Sequence, residues 1–157
     1  MRILLAALLS VLMLTATRAE EDTGLTLLDA AMAGDVAAVK AAIAAGAELE
    51  ARDAAKRTAL LIATRADHVD IARLLITAGA DVNAKDNIRD TPFLYAGAEG
   101  RNAILRAILA TGRTDLTDTN RYGGVALIPA AHHGHSETVR ILLATDIDID
   151  HVNNLGW

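Results

Sequence analysis

Apolar and polar positions recur along this chain with a period of 33 or 34 residues. The apolar stretch at residues 58–63 returns at 91–96 and again at 125–131, and a related stretch occupies 25–31. Each is followed by a polar turn and then by a second apolar stretch. Self-similarity at a fixed period of this size is the signature of a repeat protein. The pattern therefore predicts four structural units that share one register.

The second half of the unit also repeats. Gly46, Gly79 and Gly112 lie 33 residues apart, and each follows an apolar stretch. Glycine ends a helix at little cost because it readily adopts the left-handed backbone conformation. Residues 80–86 then echo residues 47–53. Aromatic residues are only 3% of the chain, which suits short, closely stacked helices. These features predict an all-α fold.

Three segments carry a resemblance to a known family. Residues 90–93 (Asp-Thr-Pro-Phe), 134–139 (Gly-His-Ser-Glu-Thr-Val) and 79–83 (Gly-Ala-Asp-Val-Asn) resemble the ankyrin repeat, a unit of about 33 residues with a turn and two antiparallel helices. The resemblance covers residues 24–157. It implies an all-α ankyrin-repeat solenoid of about four stacked helix-turn-helix repeats, at about 24–53, 54–86, 87–119 and 120–153, with the start of a fifth at 154–157.

The same resemblance places the helices of each unit. Inner helices are expected near 26–33, 59–66, 92–99 and 126–133, and outer helices near 36–45, 69–78, 102–111 and 136–145. Ser136 is the expected N-cap of the last outer helix. Because the end of an array normally needs a polar outer face, we expect the fourth unit to expose apolar side chains such as Leu127, Leu142 or Ile149, as in a fragment of a longer array.

Some positions depart from the family's pattern. Lys56 and Arg89 stand where the family has a turn glycine, so we expect strained or altered turns there. Asp67 stands at another glycine position, and Asp tolerates the left-handed region better than most residues do. Leu94 replaces the family's histidine, so the usual Thr–His hydrogen bond between units is expected to be absent.

The first residues have the order of a secretory signal peptide. Arg2 gives a positive start, an apolar run extends from Ile3 to Leu14, and small residues end at Ala19. A membrane anchor is the competing interpretation, but the run is shorter than the ~20 residues that a spanning helix needs. We therefore predict a signal peptide at 1–19, no membrane span after its cleavage, and a periplasmic or secreted protein.

The mature chain is acidic and lacks cysteine. Loss of Arg2 and Arg18 takes the formal net charge from −5 to −7. Nucleic-acid binding depends on clustered Lys and Arg that release counterions, so no nucleic-acid partner is expected. With no cysteine in the chain there is no disulfide framework, and packing alone must stabilise the fold.

A histidine cluster provides the alternative chemistry. The imidazoles of His132, His133 and His135 could bind a transition metal, so a small-ligand or metal-handling protein is the alternative function. His135, however, fills the family's usual Gly-His position, and His132 and His133 are neighbours that point in different directions. Ser136 is the one serine after Ala19, and nothing in the sequence supports the geometry that a catalytic triad with Ser136 as nucleophile would need. We therefore expect no enzyme, no catalytic residue, no metal site and no cofactor.

The resemblance implies a non-catalytic protein–protein interaction scaffold that binds its partner through a concave face of turn tips and inner helices. Carried onto this chain, the partner-binding residues are Arg57, Arg65, Ile88, Arg89, Asp90, Glu99, Arg121, His132 and His133. Basic side chains outnumber acidic ones in and beside these turns. We therefore expect a locally basic concave face, an acidic protein partner, and the excess of acid on the convex face.

The signal-peptide prediction has a direct test. When the full chain is expressed in a bacterium with its own export machinery, we expect the mature protein to begin at Glu20, because the small residues before it suit signal peptidase. Mass spectrometry of the intact protein gives the new N-terminus. Recovery of the chain with residues 1–19 still attached in the envelope fraction would contradict the prediction.

Overall fold

The structure is a computed structural model that describes residues 27–157. The predicted signal peptide lies outside the described residues. Over the described part the chain is helical with no strand, which confirms the predicted all-α class. The helices are α1 (27–33), α2 (Val36–Ala44), α3 (Ala59–Arg65), α4 (Val69–Ala78), α5 (Pro92–Ala98), α6 (Asn102–Leu109), α7 (Leu127–His132) and α8 (Ser136–Leu143).

The helices stack in two layers. The inner helix α5 packs against α3 on one side and α7 on the other, and the outer helices α2, α4, α6 and α8 pack in the same succession. Within the later three units, α3, α5 and α7 also pack on α4, α6 and α8, respectively. The core lies between the layers, where Leu60 and Phe93 of the inner helices meet Ile71 and Ile104 of the outer ones, all fully buried. Helices this short gain their stability from such neighbours.

Threonine begins two of the inner helices. The hydroxyl oxygen of Thr58 accepts a hydrogen bond from the Leu61 backbone N–H at 3.4 Å, and that of Thr91 accepts one from Leu94 at 3.0 Å. In the fourth unit Val125 occupies this position, and α7 begins two residues later without a side-chain cap. Side-chain caps satisfy backbone donors that the first helical turn leaves free.

The predicted N-cap at Ser136 is wrong. The helix α8 begins at Ser136 itself, and the N-cap is His135, whose side chain makes no capping hydrogen bond. The histidine is directed instead to the preceding unit, where its ring lies 2.9 Å from the position that a Cβ on Gly100 would occupy. Contact between units therefore takes precedence over local capping at this position.

The turn between units is built the same way four times. One side-chain oxygen accepts hydrogen bonds from the backbone N–H groups two and four residues later, at 2.8–3.1 Å. The residues that supply this oxygen are Asp53, Asp86, Asn120 and Asn153. Aspartate and asparagine favour turns because their side chains bond to nearby backbone in this way.

The expected strain in these turns is present. Lys56 and Arg89 have φ values of 61° and 69°, where Gly123 and Gly156 stand in the later turns. A residue with a Cβ is disfavoured in this left-handed region by roughly 1–2 kcal/mol. The third non-glycine residue with positive φ in the described part of the chain is Asp67, at 58°.

Asp67 belongs to a pair that crosses two units. Its carboxylate lies 3.5 Å from the Arg101 guanidinium of the next unit. The equivalent pair one unit earlier is Gly34 with His68, and a Cβ on Gly34 would lie only 2.9 Å from the His68 ring. The two residues that meet at this junction therefore differ together from one junction to the next. Glycine faces histidine at the first junction, and aspartate faces arginine at the second.

The fourth unit exposes apolar side chains, but not all of those expected. Ile149 is 67% exposed, whereas Leu142 is fully buried and Leu143 is exposed instead. Leu142 lies one helical turn after the buried Thr138, so it shares the face of α8 that packs on the core. Leu127 is half-buried. The prediction of exposure was therefore correct for Ile149 and wrong for Leu142.

Relief of the strain at Arg89 should stabilise the protein. We expect Arg89→Gly to raise the free energy of unfolding by up to about 1 kcal/mol, because glycine removes the left-handed penalty and adds only part of it back as entropy of the unfolded chain. Urea denaturation followed by circular dichroism measures the change. The matched control is Gly112→Ala, at φ 65° with no atom within 4 Å of an added Cβ, which should lower stability. Equal effects of the two variants would contradict the explanation.

Candidate partner-binding groove

A groove of about 580 Å³ lies where the last two inner helices meet the turn tips. The helix α5 supplies Tyr95, α7 supplies Pro129, and the turns supply Tyr122 and Trp157. Arg65, the last residue of α3, closes the near end. We call this surface the α5–α7 groove. The stacking of α5 on α7 fixes its floor, and the repeated side-chain hydrogen bonds in the turns fix its walls.

The groove brings together seven of the nine residues that the sequence singled out. They are Arg65, Ile88, Asp90, Glu99, Arg121, His132 and His133. Arg57 lies outside it, because the guanidinium binds Asp53 of its own turn, Nε to Oδ2 at 2.7 Å. Arg89 also lies outside, exposed at the tip of its turn. Partner binding at the seven residues stays a prediction.

The sequence reasoning missed the aromatic lining. Both tyrosines and the one tryptophan of the chain, Tyr95, Tyr122 and Trp157, line the α5–α7 groove. The fourth aromatic residue, Phe93, is fully buried in the core. In a chain with so few aromatic residues, their positions within the repeat register were a usable signal: one on an inner helix and two at turn tips.

Each of the two arginines in the groove lies over a tyrosine ring. The Arg65 guanidinium carbon is 4.5 Å from the centre of the Tyr95 ring, and that of Arg121 is 4.8 Å from the centre of the Tyr122 ring. Arg65 also contacts the Asp90 carboxylate at 3.3 Å. Such stacking leaves the donors at the edge of the guanidinium available while holding its plane in place.

The pKa of Asp90 is raised from its ordinary value. Burial is the main cause and the nearby charge of Asp86 adds to it, while Arg121 and Arg65 act in the opposite direction. Asp53 shows the contrary balance. Burial raises the pKa of Asp53 too, but hydrogen bonds from the side chain and backbone of Arg57 outweigh it and leave this pKa lowered.

The expectation of a locally basic face is corrected by these pairs. Within the α5–α7 groove the formal charges of Arg65 and Arg121 are balanced by Asp90 and Glu99. Beside it, the Lys85 ammonium binds the Asp118 carboxylate at 2.7 Å. Sequence counting missed this because it left out Asp53 and Asp118, which neutralise Arg57 and Lys85.

The expected excess of acid on the outer face is also wrong. The outer helices α2, α4, α6 and α8 carry four exposed cationic residues and two exposed acidic ones. Acidic residues concentrate instead in the segments that connect one unit to the next, such as 81–86 and 146–150. The two faces are therefore separated by acidic connections rather than opposed in charge.

The histidines of the cluster make separate contacts. The Nδ1–H of His133 donates to the Ala98 carbonyl at 2.8 Å, and the His132 ring stacks on Trp157 with centroids 4.7 Å apart. The His135 ring packs against Gly100. Among residues 27–157 no group of three or more His, Asp or Glu side chains is placed to hold a metal ion. The metal-handling alternative thus finds no support in this part of the chain.

No helix among the described residues is long and apolar enough to span a membrane.

A family model described as "Ankyrin repeats (3 copies)" matches residues 6–86 and 27–120.

The chain belongs to the ankyrin-repeat family. It is similar to the Escherichia coli K12 ankyrin repeat protein YahD, with 36% identity over 129 residues, 82% of this chain and 64% of YahD. An ankyrin repeat domain from Acinetobacter baumannii AYE is 54% identical, with a TM-score of 0.81 over 83% of this chain and 66% of that one. The ankyrin repeat protein EF0377 is 42% identical, with a TM-score of 0.81 over 84% of this chain and 67% of its own.

The ankyrin-repeat chain spans about two thirds of the length of each of these relatives. The likeness confirms both the family and the solenoid fold that the sequence predicted. Ankyrin repeats are in general protein–protein interaction modules and non-catalytic scaffolds.

The two shifted carboxylates should give stability opposite dependences on pH. The folded chain binds the Asp90 proton more tightly than the unfolded chain does, so this group adds stability that is full below 3.8 and is lost as the pH rises through its raised pKa. Asp53 adds stability above 3.8 that is lost as the pH falls through its lowered pKa.

Substitution of each carboxylate by its amide tests this. We expect the free energy of unfolding of the parent minus that of Asp90→Asn to rise as the pH falls from neutral toward 3.8. The same difference for Asp53→Asn should fall below 3.8. Urea denaturation across this pH range measures both. Parallel slopes for the two variants would show that these environments are not the source of the pH dependence.

Proposed function

We propose that this ankyrin-repeat chain is a non-catalytic scaffold that binds a protein partner in the α5–α7 groove. The observation that carries the proposal is the gathering of Tyr95, Tyr122 and Trp157 in one groove of a chain that has only one other aromatic residue. Tyrosine, tryptophan and arginine are the residues most enriched among those that dominate binding energy at protein interfaces.

Exposure of these side chains supports the same conclusion. Tyr122 is 49% exposed and Trp157 is 54% exposed, and the groove also contains the exposed Ile88 and Leu155. Contiguous exposed apolar surface rimmed by polar groups marks an interaction site. The tyrosines are already held by their arginines, so little side-chain entropy is lost when a partner covers them.

The charge of the α5–α7 groove shapes the proposal further. Because Asp90 and Glu99 balance Arg65 and Arg121, we propose that aromatic contact supplies most of the affinity. An acidic partner would then gain only from cations beside the groove, such as Arg89. A net acidic character of the partner is therefore not a requirement of this interface.

We place this function in the periplasm or outside the cell. The support is the predicted signal peptide at 1–19. The partner is accordingly expected among proteins of the cell envelope or of the surroundings.

Removal of the exposed aromatic side chains tests the proposal. We expect the double variant Tyr122→Ser with Trp157→Ser to bind its envelope partner more weakly by tenfold or more, because each large residue of this kind contributes about 2 kcal/mol at a well-packed contact. The immobilised protein is exposed to an envelope extract of the source organism, and each retained protein is identified and its affinity measured by surface plasmon resonance.

The matched control is Leu143→Ser with Ile149→Ser, which removes two similarly exposed apolar side chains that do not line the groove. We expect this control to keep the partner. Circular dichroism verifies that both double variants are folded. A partner that the groove variant retains at full affinity, or that both variants lose equally, would contradict the α5–α7 groove as the site.

A further inference from the structure

One cation stands at the same position on every outer helix. Lys40 lies in α2, Arg73 in α4, Arg106 in α6 and Arg140 in α8, at separations of 33, 33 and 34 residues that follow the repeat period. All four are exposed. Because these helices pack side by side in succession, residues at one repeat position form a row that crosses them. We call these four residues the basic row.

The two halves of the basic row differ in their partners. Glu137 binds both Arg106 and Arg140, so one carboxylate is shared by the two cations of α6 and α8. In the part of the chain that the structure describes, neither Lys40 nor Arg73 has a carboxylate within 4.0 Å. Lys40 and Arg73 are therefore the two cations of the row that lack a direct ion pair in this part of the chain.

Two grooves lie along the basic row between α2 and α6. The groove between α2 and α4, of about 590 Å³, has Ile43 and Leu74 in its lining and Lys40 and Arg73 at its edges. The groove between α4 and α6, of about 710 Å³, includes Ile76, Ala103 and Ala107, with Arg73 and Arg106 at its edges. Each groove thus combines an apolar floor with a cation on either side.

One acidic residue lies among them. Asp70 precedes Arg73 by one helical turn and lines the groove between α2 and α4. The formal charge around this groove from Lys40, Arg73 and Asp70 is still +1. The groove between α4 and α6 has Arg73 and Arg106 in its lining, and with Glu137, which binds Arg106, the formal charge around it is also +1. Both grooves therefore present positive charge in a chain whose formal net charge is −5.

We propose that the basic row and its two grooves form a second binding surface, which takes an extended acidic segment of a partner protein. Packed helices lie about 8–10 Å apart, so successive cations of the row are separated by roughly that distance. A segment in the extended polyproline II conformation advances about 3.1 Å per residue with three residues per turn, so every third side chain lies on one face at about the same spacing. Carboxylates at every third residue would then face Lys40, Arg73 and Arg106 in turn.

The residues between those carboxylates meet the apolar floors. A segment laid across the helices passes over one groove between each pair of cations, and a medium-sized apolar side chain there buries surface against Leu74 or Ile76. The surface lies on the outer helices, so a partner in the α5–α7 groove leaves it open. A test of this second binding surface is therefore independent of a test of the function proposed above.

The form of the surface favours a single peptide segment over a nucleic acid or a lipid surface. The cations form one row rather than a wide patch, and the exposed acidic residues of segment 146–150 follow the last outer helix. A polyanion or a charged bilayer would meet that acid as well as the row, and the net negative charge of the chain opposes both. A short acidic segment contacts the row alone.

A synthetic peptide provides the test. The probe is a capped heptapeptide with aspartate at its first, fourth and seventh residues and valine and threonine between them. It is titrated to millimolar concentration into the isotope-labelled full chain at low salt, and amide chemical shifts are followed by nuclear magnetic resonance. We expect saturable shifts confined to α2, α4 and α6, with the affinity falling as salt is added.

Variants and control peptides locate the effect. We expect Lys40→Gln with Arg73→Gln to weaken binding by about fivefold or more, because the groove between α2 and α4 loses the cation at each of its two edges. Lys56→Gln with Arg89→Gln removes the same charge from the turn tips and should change the affinity by less than about twofold. A peptide with asparagine for each aspartate should not bind. The amide spectra themselves show whether each variant is folded.

Several results would overturn the proposal. They are an absence of saturable shifts, shifts centred on the α5–α7 groove, or equal binding of a peptide that has the same composition with its three aspartates adjacent. Anionic phosphatidylglycerol vesicles or a short DNA duplex are tested in parallel. Loss of vesicle or DNA binding in the Lys40→Gln, Arg73→Gln variant, with no effect on the peptide, would replace the acidic segment by that ligand.

Discussion

The whole molecule depends on contact between one helix pair and the next. No helix here exceeds ten residues within the described chain, and none could stay folded in water alone. Leu60 and Phe93 are fully buried because the neighbouring unit covers them. The one-residue difference in spacing before the fourth unit falls in the connecting segment, where an added residue costs little.

Stacking also explains why the two proposed binding surfaces lie on two faces. Repetition places equivalent positions of successive units side by side. A residue type that recurs at one position therefore forms a row, whereas residues that differ between units form a surface of mixed composition. Lys40 and Arg73 illustrate the first case on the outer helices. Tyr95, Tyr122 and Trp157 illustrate the second, since each comes from a different repeat position and a different unit. One architecture therefore supports a repetitive surface and an individual one.

Sequence periodicity was sufficient for the fold and insufficient for the details of the surface. The spacing of glycines and the Thr-Pro segment located the helices to within one or two residues, because the repeat fixes their register. The left-handed turns at Lys56 and Arg89 were also predictable from the register. The exposure of Leu143 rather than Leu142 was not, since it depends on the rotation of a single helix. The charge balance was missed because Asp118, which meets Lys85 only after folding, was not counted with the turn residues.

The matched residues at the junctions between units give the array a fixed order. Gly34 leaves room for the His68 ring, while the Asp67 carboxylate forms an ion pair with Arg101. If two units exchanged places, the arginine would face a glycine and lose its counter-charge, and the aspartate would stand against an imidazole with its Cβ in the way. Units that look interchangeable in sequence thus have junction residues that specify which unit is their neighbour. Gene duplication can lengthen such an array freely only where both sides of the new border agree.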